Sequence, residues 1–122
     1  MNLFCKKCNK LLTLSSLKES TYDELTFIDE KELLNENNYI LASEAEILFE
    51  IPIKYLIHTN SISLIDHPDK QRFSGCCGTS QFSKLNQVCP QCGFEIGVLI
   101  NDCWTPKFIG LDIHKVSLNP LW

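Results

Sequence analysis

Short apolar runs separated by polar turns dominate the chain, with little sustained helical periodicity. The pattern predicts strands at Tyr39-Ile40-Leu41, Ile47-Leu48-Phe49, Phe94 to Ile100 and Lys107 to Ile113. Asn35 to Asn38, with three asparagines in four residues, marks a turn before the first of these. Asn101 to Pro106 turns between the last two, His67-Pro68-Asp69 reads as a loop, and Gly75-Cys76-Cys77-Gly78 as a tight backbone turn. Two segments stay ambiguous. Residues 23–34 open on Asp23 as a candidate cap and set Leu25, Ile28 and Glu32 at helical spacing, but Thr26-Phe27-Ile28 equally suits a strand. Ile53 to Ile57 is apolar and fits either. The resulting expectation is a single α+β domain over residues 1–122, small and rich in β-structure.

Bulk composition agrees. Hydrophobic content of 44% and charged content of 21% over 122 residues are ordinary for one globular domain with a modest core. No apolar run approaches transmembrane length. The opening Met-Asn-Leu-Phe-Cys-Lys-Lys has no basic segment followed by an apolar stretch, so no signal peptide is expected and the location is read as cytoplasmic.

Charge changes the picture more. The formal net charge is −4, unevenly spread. Residues 1–18 carry Lys6, Lys7, Lys10 and Lys18 and no acid, whereas residues 19–50 carry ten acids against Lys31 alone. Such a segment is either a solvated face or a surface that steers a basic partner protein. Nucleic-acid binding is disfavoured, because phosphate contacts need clustered Lys and Arg and the only basic cluster is Lys6, Lys7 and Lys10.

The chemistry sits in seven cysteines, four of them in Cys5-Lys-Lys-Cys8 and Cys89-Pro-Gln-Cys92. Each pair puts two thiolates on one turn, and two such turns supply the closed tetrahedral set of a structural Zn²⁺ site. Eighty residues lie between Cys8 and Cys89. Closing such a loop costs about 4 kcal/mol, well below the roughly 10–16 kcal/mol of apparent binding energy of structural zinc in small peptides. The ion would therefore hold the first and last β elements side by side, as in a zinc ribbon. A redox role for Cys89-Pro-Gln-Cys92 needs a helix N-terminus after the first thiol, and Gly93-Phe94-Glu95-Ile96-Gly97 reads as strand. A zinc deaminase needs H-x-E, and none of His58, His67 and His114 has the glutamate.

Cys76, Cys77 and Cys103 remain, with His67 as a neighbour of suitable chemistry. They read either as second or alternative metal ligands, or as small core residues and turn formers. Trp104 reads as a core anchor of the Asp102-Cys103-Trp104 turn, and Trp122 as folded back on the domain or at an interface. From Gly75 onward, Gly75-Cys76-Cys77-Gly78, Cys89 to Gly93, Glu95-Ile96-Gly97, Asp102-Cys103-Trp104-Thr105-Pro106 and Leu111-Asp112 resemble a family of small, mostly uncharacterised bacterial zinc-ribbon-like proteins. That family pairs an N-terminal C-x-x-C with a G-C-C-G turn and a C-G-x-E-x-G…D-C-W-x-P block. The resemblance implies a bacterial metal-binding protein without an assigned activity. Lys107 stands where it would place a histidine, which removes any ligand there.

With no catalytic constellation, the leading expectation is a non-enzymatic zinc-binding interaction module. More concretely, it is an immunity protein whose acidic segment 19–50 covers a basic bacterial toxin. The alternatives are a zinc-ribbon nucleic-acid adaptor and a thiol-dependent enzyme using Cys76, Cys77 or Cys103.

Overall fold

The computed structural model describes residues 1–119, so Trp122 lies outside the described residues. The strands are β1 (Phe4–Cys5), β2 (Lys18–Glu19), β3 (Asn38–Leu41), β4 (Ile53–Ile57), β5 (Ile65–Asp66), β6 (Gln87–Val88), β7 (Glu95–Ile100), β8 (Phe108–Asp112) and β9 (Val116–Ser117). Seven of them form one sheet in the order β2-β3-β4-β8-β7-β6-β5, and β1 pairs separately with β9. All neighbours are antiparallel except β2 and β3.

The centre of the sheet follows from its residues. β4 reads Ile-Lys-Tyr-Leu-Ile, a β-branched and aromatic run that suits a pleated, buried surface. Its register sets Tyr55 opposite Leu111, Leu56 opposite Gly110 and Ile57 opposite Ile109. Alternation then divides the core in two. Tyr55, Ile57, Ile109 and Leu111 join Leu3, Leu12, Leu17 and Ile62 in one cluster, while Leu56, Phe108 and Ile40 join Leu33, Leu34, Ala42 and Ala45 in another. Each fully buried large side chain contributes about 1.5–3 kcal/mol. Both faces of the central strands are thus apolar, and irregular segments cover them where helices would in other folds.

The domain is therefore β-rich but not α+β. The described residues contain only two single-turn 3₁₀ segments, Tyr22–Glu24 and Lys70–Arg72, and no α-helix. The expected helix or strand over residues 23–34 is neither. After the turn at Tyr22–Glu24 the chain becomes extended at Leu25, and its backbone is spent on distant partners. Glu30 N–H donates to Thr105 O (2.9 Å), Leu33 N–H to Lys107 O (2.9 Å), and Lys107 N–H to Lys31 O (2.7 Å). A helix would withdraw those donors, so long-range pairing overrides the local spacing. Ile47-Leu48-Phe49 is not a strand either. Phe49 packs on Phe82 and Phe108, and Leu48 is exposed.

Candidate metal centre

Two hairpin turns of nearly identical construction meet at this site. In the first, Cys5 N–H donates to Lys10 O (2.9 Å) and Asn9 N–H to Cys5 O (2.8 Å). In the second, Cys89 N–H donates to Phe94 O (2.9 Å) and Gly93 N–H to Cys89 O (2.9 Å). The residue after each second cysteine takes the left-handed conformation, with φ of 69° at Asn9 and 77° at Gly93. Glycine and asparagine are the residues that enter that region at least cost. β6 delivers Cys89 and β7 leaves the second turn; β1 ends on Cys5. Pairing of β1 with β9 sets Cys5 opposite Val116, and Lys6 N–H donates to Lys115 O (3.0 Å). The first and last strands of the described residues are thereby joined beside the site.

The four sulfurs converge. Cys5 Sγ lies 3.6 Å from Cys92 Sγ, and Cys8 Sγ lies 3.6 Å from Cys89 Sγ. All four lie within 4.8 Å of one another. A tetrahedral ion with bonds of about 2.3 Å to sulfur requires sulfur–sulfur edges of about 3.8 Å, so the spacing fits one ion. The first cysteine of each turn approaches the second cysteine of the other, an approximate two-fold arrangement. Cys5 and Cys89 are buried in the core cluster beneath the sheet; Cys8 and Cys92 are half-buried.

The thiols are unequal. Burial pushes Cys5 up to about 12, against the pull of the Cys8 and Lys7 N–H groups. Burial also acts upward on Cys8, but the Lys10 N–H and the Cys92, Cys89 and Cys5 thiols hold it down at about 7. Cys92 is raised, chiefly by burial. A cation bound among the sulfurs would displace these protons, since only thiolates ligate. Two ammonium groups stand over Phe94, Lys115 at 4.8 Å and Lys7 at 5.8 Å from the ring centre.

Cys76, Cys77 and Cys103 form a second group, also within 4.8 Å of one another. They are not core residues: Cys76 and Cys77 are exposed and Cys103 is half-buried. Cys77 and Cys103 form a disulfide, with Cα atoms 5.6 Å apart. His67 does not join them. Its Nε2 faces Glu95 Oε2 at 2.8 Å, and its Nδ1 accepts from Asp69 N–H at 3.0 Å. Trp104 is likewise no core anchor, being 54% exposed.

Sequence reading missed the residue that organises this region. The buried Asp102 carboxylate accepts from the N–H groups of Cys76 (2.9 Å), Cys77 (2.8 Å) and Cys103 (2.7 Å), the Ser80 hydroxyl (2.9 Å) and the Trp104 indole (3.2 Å). Burial alone would raise its pKa, but the donors from Cys77, Cys103, Ser80 and Cys76 outweigh it and hold it at about 2. The available signal was an Asp opening a polar turn, a pattern that favours side-chain capture of nearby N–H groups. No protein-family model, curated protein or solved structure matches the chain. The likeness to small bacterial zinc-ribbon proteins gains no support from these comparisons; what the structure supports is the four-cysteine cluster alone.

Proposed function

We propose that the chain is a zinc-stapled, non-catalytic binding module whose acidic face engages a basic protein. The zinc assignment is supported by the donor set. Four thiolates at tetrahedral spacing suit an ion with no geometric preference of its own, in a closed site. A closed site leaves no position for substrate, so the ion's role is to hold the domain together.

The observation that carries the partner reading is the loop that follows Thr21. Tyr22 and Phe27 are each 47% exposed and Ile28 is 58% exposed, with the two rings 5.4 Å apart. Asp23, Glu24, Asp29 and Glu30 are exposed around them. The loop is held ready by the Thr21–Glu24 capping box, by Thr26 N–H to Leu33 O (3.0 Å), and by the bonds from Glu30 and Leu33 to the 105–107 segment. Aromatic anchors inside a charged rim are the usual anatomy of an interface, and like-signed charge speeds encounter with an opposite partner. The partner class this favours is a basic toxin, such as a nuclease, which an immunity protein would neutralise by covering its active site.

The test is capture of partners from the source cells, followed by titration of the purified pair. The reading predicts a basic protein whose binding weakens with salt and falls at least about tenfold in both Phe27→Ala and an Asp29→Lys/Glu30→Lys variant. Affinity indifferent to both variants and to salt would contradict it. A second reading, nucleic-acid binding at the first knuckle, is favoured by Lys7 and Lys115 flanking Phe94. It predicts instead salt-sensitive RNA or DNA binding that weakens when Lys6, Lys7 and Lys10 are neutralised.

A further inference from the structure

The three cysteines outside the four-sulfur centre are arranged as a ligand set. Adjacent residues of an extended chain point their side chains to opposite sides. Cys76 and Cys77 instead bring their sulfurs to 3.8 Å, because the chain bends around Asp102. One carboxylate oxygen takes the Cys76 N–H and the other takes those of Cys77 and Cys103. A side chain at Gly75 would collide with that carboxylate, and one at Gly78 with the Asn101 carbonyl. Bridging of Thr79 with Asn101 fixes the turn against the 101–105 connection that carries Cys103. Asp102 spends its capacity on five donors and is a positioning residue, not a ligand.

We propose that Cys76, Cys77 and Cys103, when reduced, bind one thiophilic d¹⁰ cation, Zn²⁺ or Cu⁺, at an exposed site with an open coordination position. The Cys76–Cys77 separation equals the about 3.8 Å edge expected for sulfurs on one such ion. Thiolate ligands select these soft cations over Mg²⁺ or Ca²⁺. Three protein ligands and solvent exposure leave room for a fourth, exchangeable ligand, in contrast to the closed centre formed by Cys5, Cys8, Cys89 and Cys92. The Cys77–Cys103 disulfide is the oxidised state of the same trio. Its formation removes two electrons and two protons from the two thiols. Glutathione disulfide, as oxidant, takes them up and leaves as two glutathione thiols. Only Cys76 then remains as ligand, and the cation is released. The site is therefore present in the reduced chain and absent from the oxidised one.

Native mass spectrometry of the untagged full chain, kept reduced and supplied with Zn²⁺ alone, tests this. A parallel titration with Cu⁺ against a competing chelator decides between the two ions. The reduced protein should hold one more cation than the glutathione-disulfide-treated protein. Cys76→Ser should weaken that extra cation at least about tenfold while the first ion stays bound, which also shows that the variant is folded. Cys103→Ser should do the same. The proposal is overturned by equal ion counts in reduced and oxidised protein for both metals. It is also overturned by an extra ion that survives both substitutions, or by a Cys77–Cys103 disulfide that persists under reduction.

Discussion

Asn9 is the structural counterpart of Gly93: each follows the second cysteine of its turn, each has positive φ, and each donates its N–H to the carbonyl of the first cysteine. The two positions share a backbone requirement, met once by glycine and once by asparagine. A Cβ at Gly93 would meet nothing within 4 Å, so only the backbone conformation resists substitution. Gly93→Ala is expected to cost about 1–2 kcal/mol, and Gly93→Asn distinctly less, as measured by denaturant unfolding of the metal-loaded protein.

Asp102 ties the Gly75–Gly78 turn to the Cys103–Trp104 turn. Its pKa is depressed to about 2, below the ordinary carboxyl value. A depressed carboxyl contributes stability above its unfolded pKa and loses it as pH falls through the folded one. Protonation of Asp102 should therefore not cost the Cys76, Cys77 and Cys103 amides their hydrogen-exchange protection until pH approaches about 2, so any loss in milder acid reports protonation of the four-sulfur centre instead. Asp102→Asn should abolish that protection at every pH while leaving the four-sulfur centre loaded.

Leu111 is fully buried in the cluster that also contains Cys5 and Cys89. Leu111→Ala is expected to cost about 2–5 kcal/mol, seen as a lowered denaturant midpoint. Leu48→Ala, at a position 89% exposed, should change stability by less than about 0.5 kcal/mol.

Much of the centre was legible because ligand spacing is local. Cys5-x-x-Cys8 and Cys89-x-x-Cys92 each encode their own turn, and the fold brings the four sulfurs to a spacing that suits one ion. β3, β7 and β8 were legible for a similar reason: their apolar runs are bounded by turn residues. Residues 23–34 were not, because the bonds that shape them come from the 105–107 segment, far along the chain. Ile47-Leu48-Phe49 has the composition of a strand, but Phe49 is claimed by Phe82 and Phe108. Trp104 was misread for a different reason. Its indole N–H is anchored on Asp102, and that polar tether leaves most of the ring in solvent.

Metal removal bears on the fold as a whole, because the cluster and the β1–β9 pair together join the two ends of the described chain. A strong chelator under reducing conditions should lower stability by several kcal/mol, because the roughly 10–16 kcal/mol of binding energy of structural zinc no longer offsets the about 4 kcal/mol that closing an eighty-residue loop costs. Exchange should rise first at the amides of Cys5, Lys6, Leu12 and Cys89.

The most direct measurement is elemental analysis of the untagged protein combined with single replacement of Cys5, Cys8, Cys89 and Cys92 by serine. Zinc is expected in the closed centre, with loss of that ion and weakened folding in each of the four variants. A wild-type protein that is folded and metal-free would contradict this, as would four variants that all keep the ion.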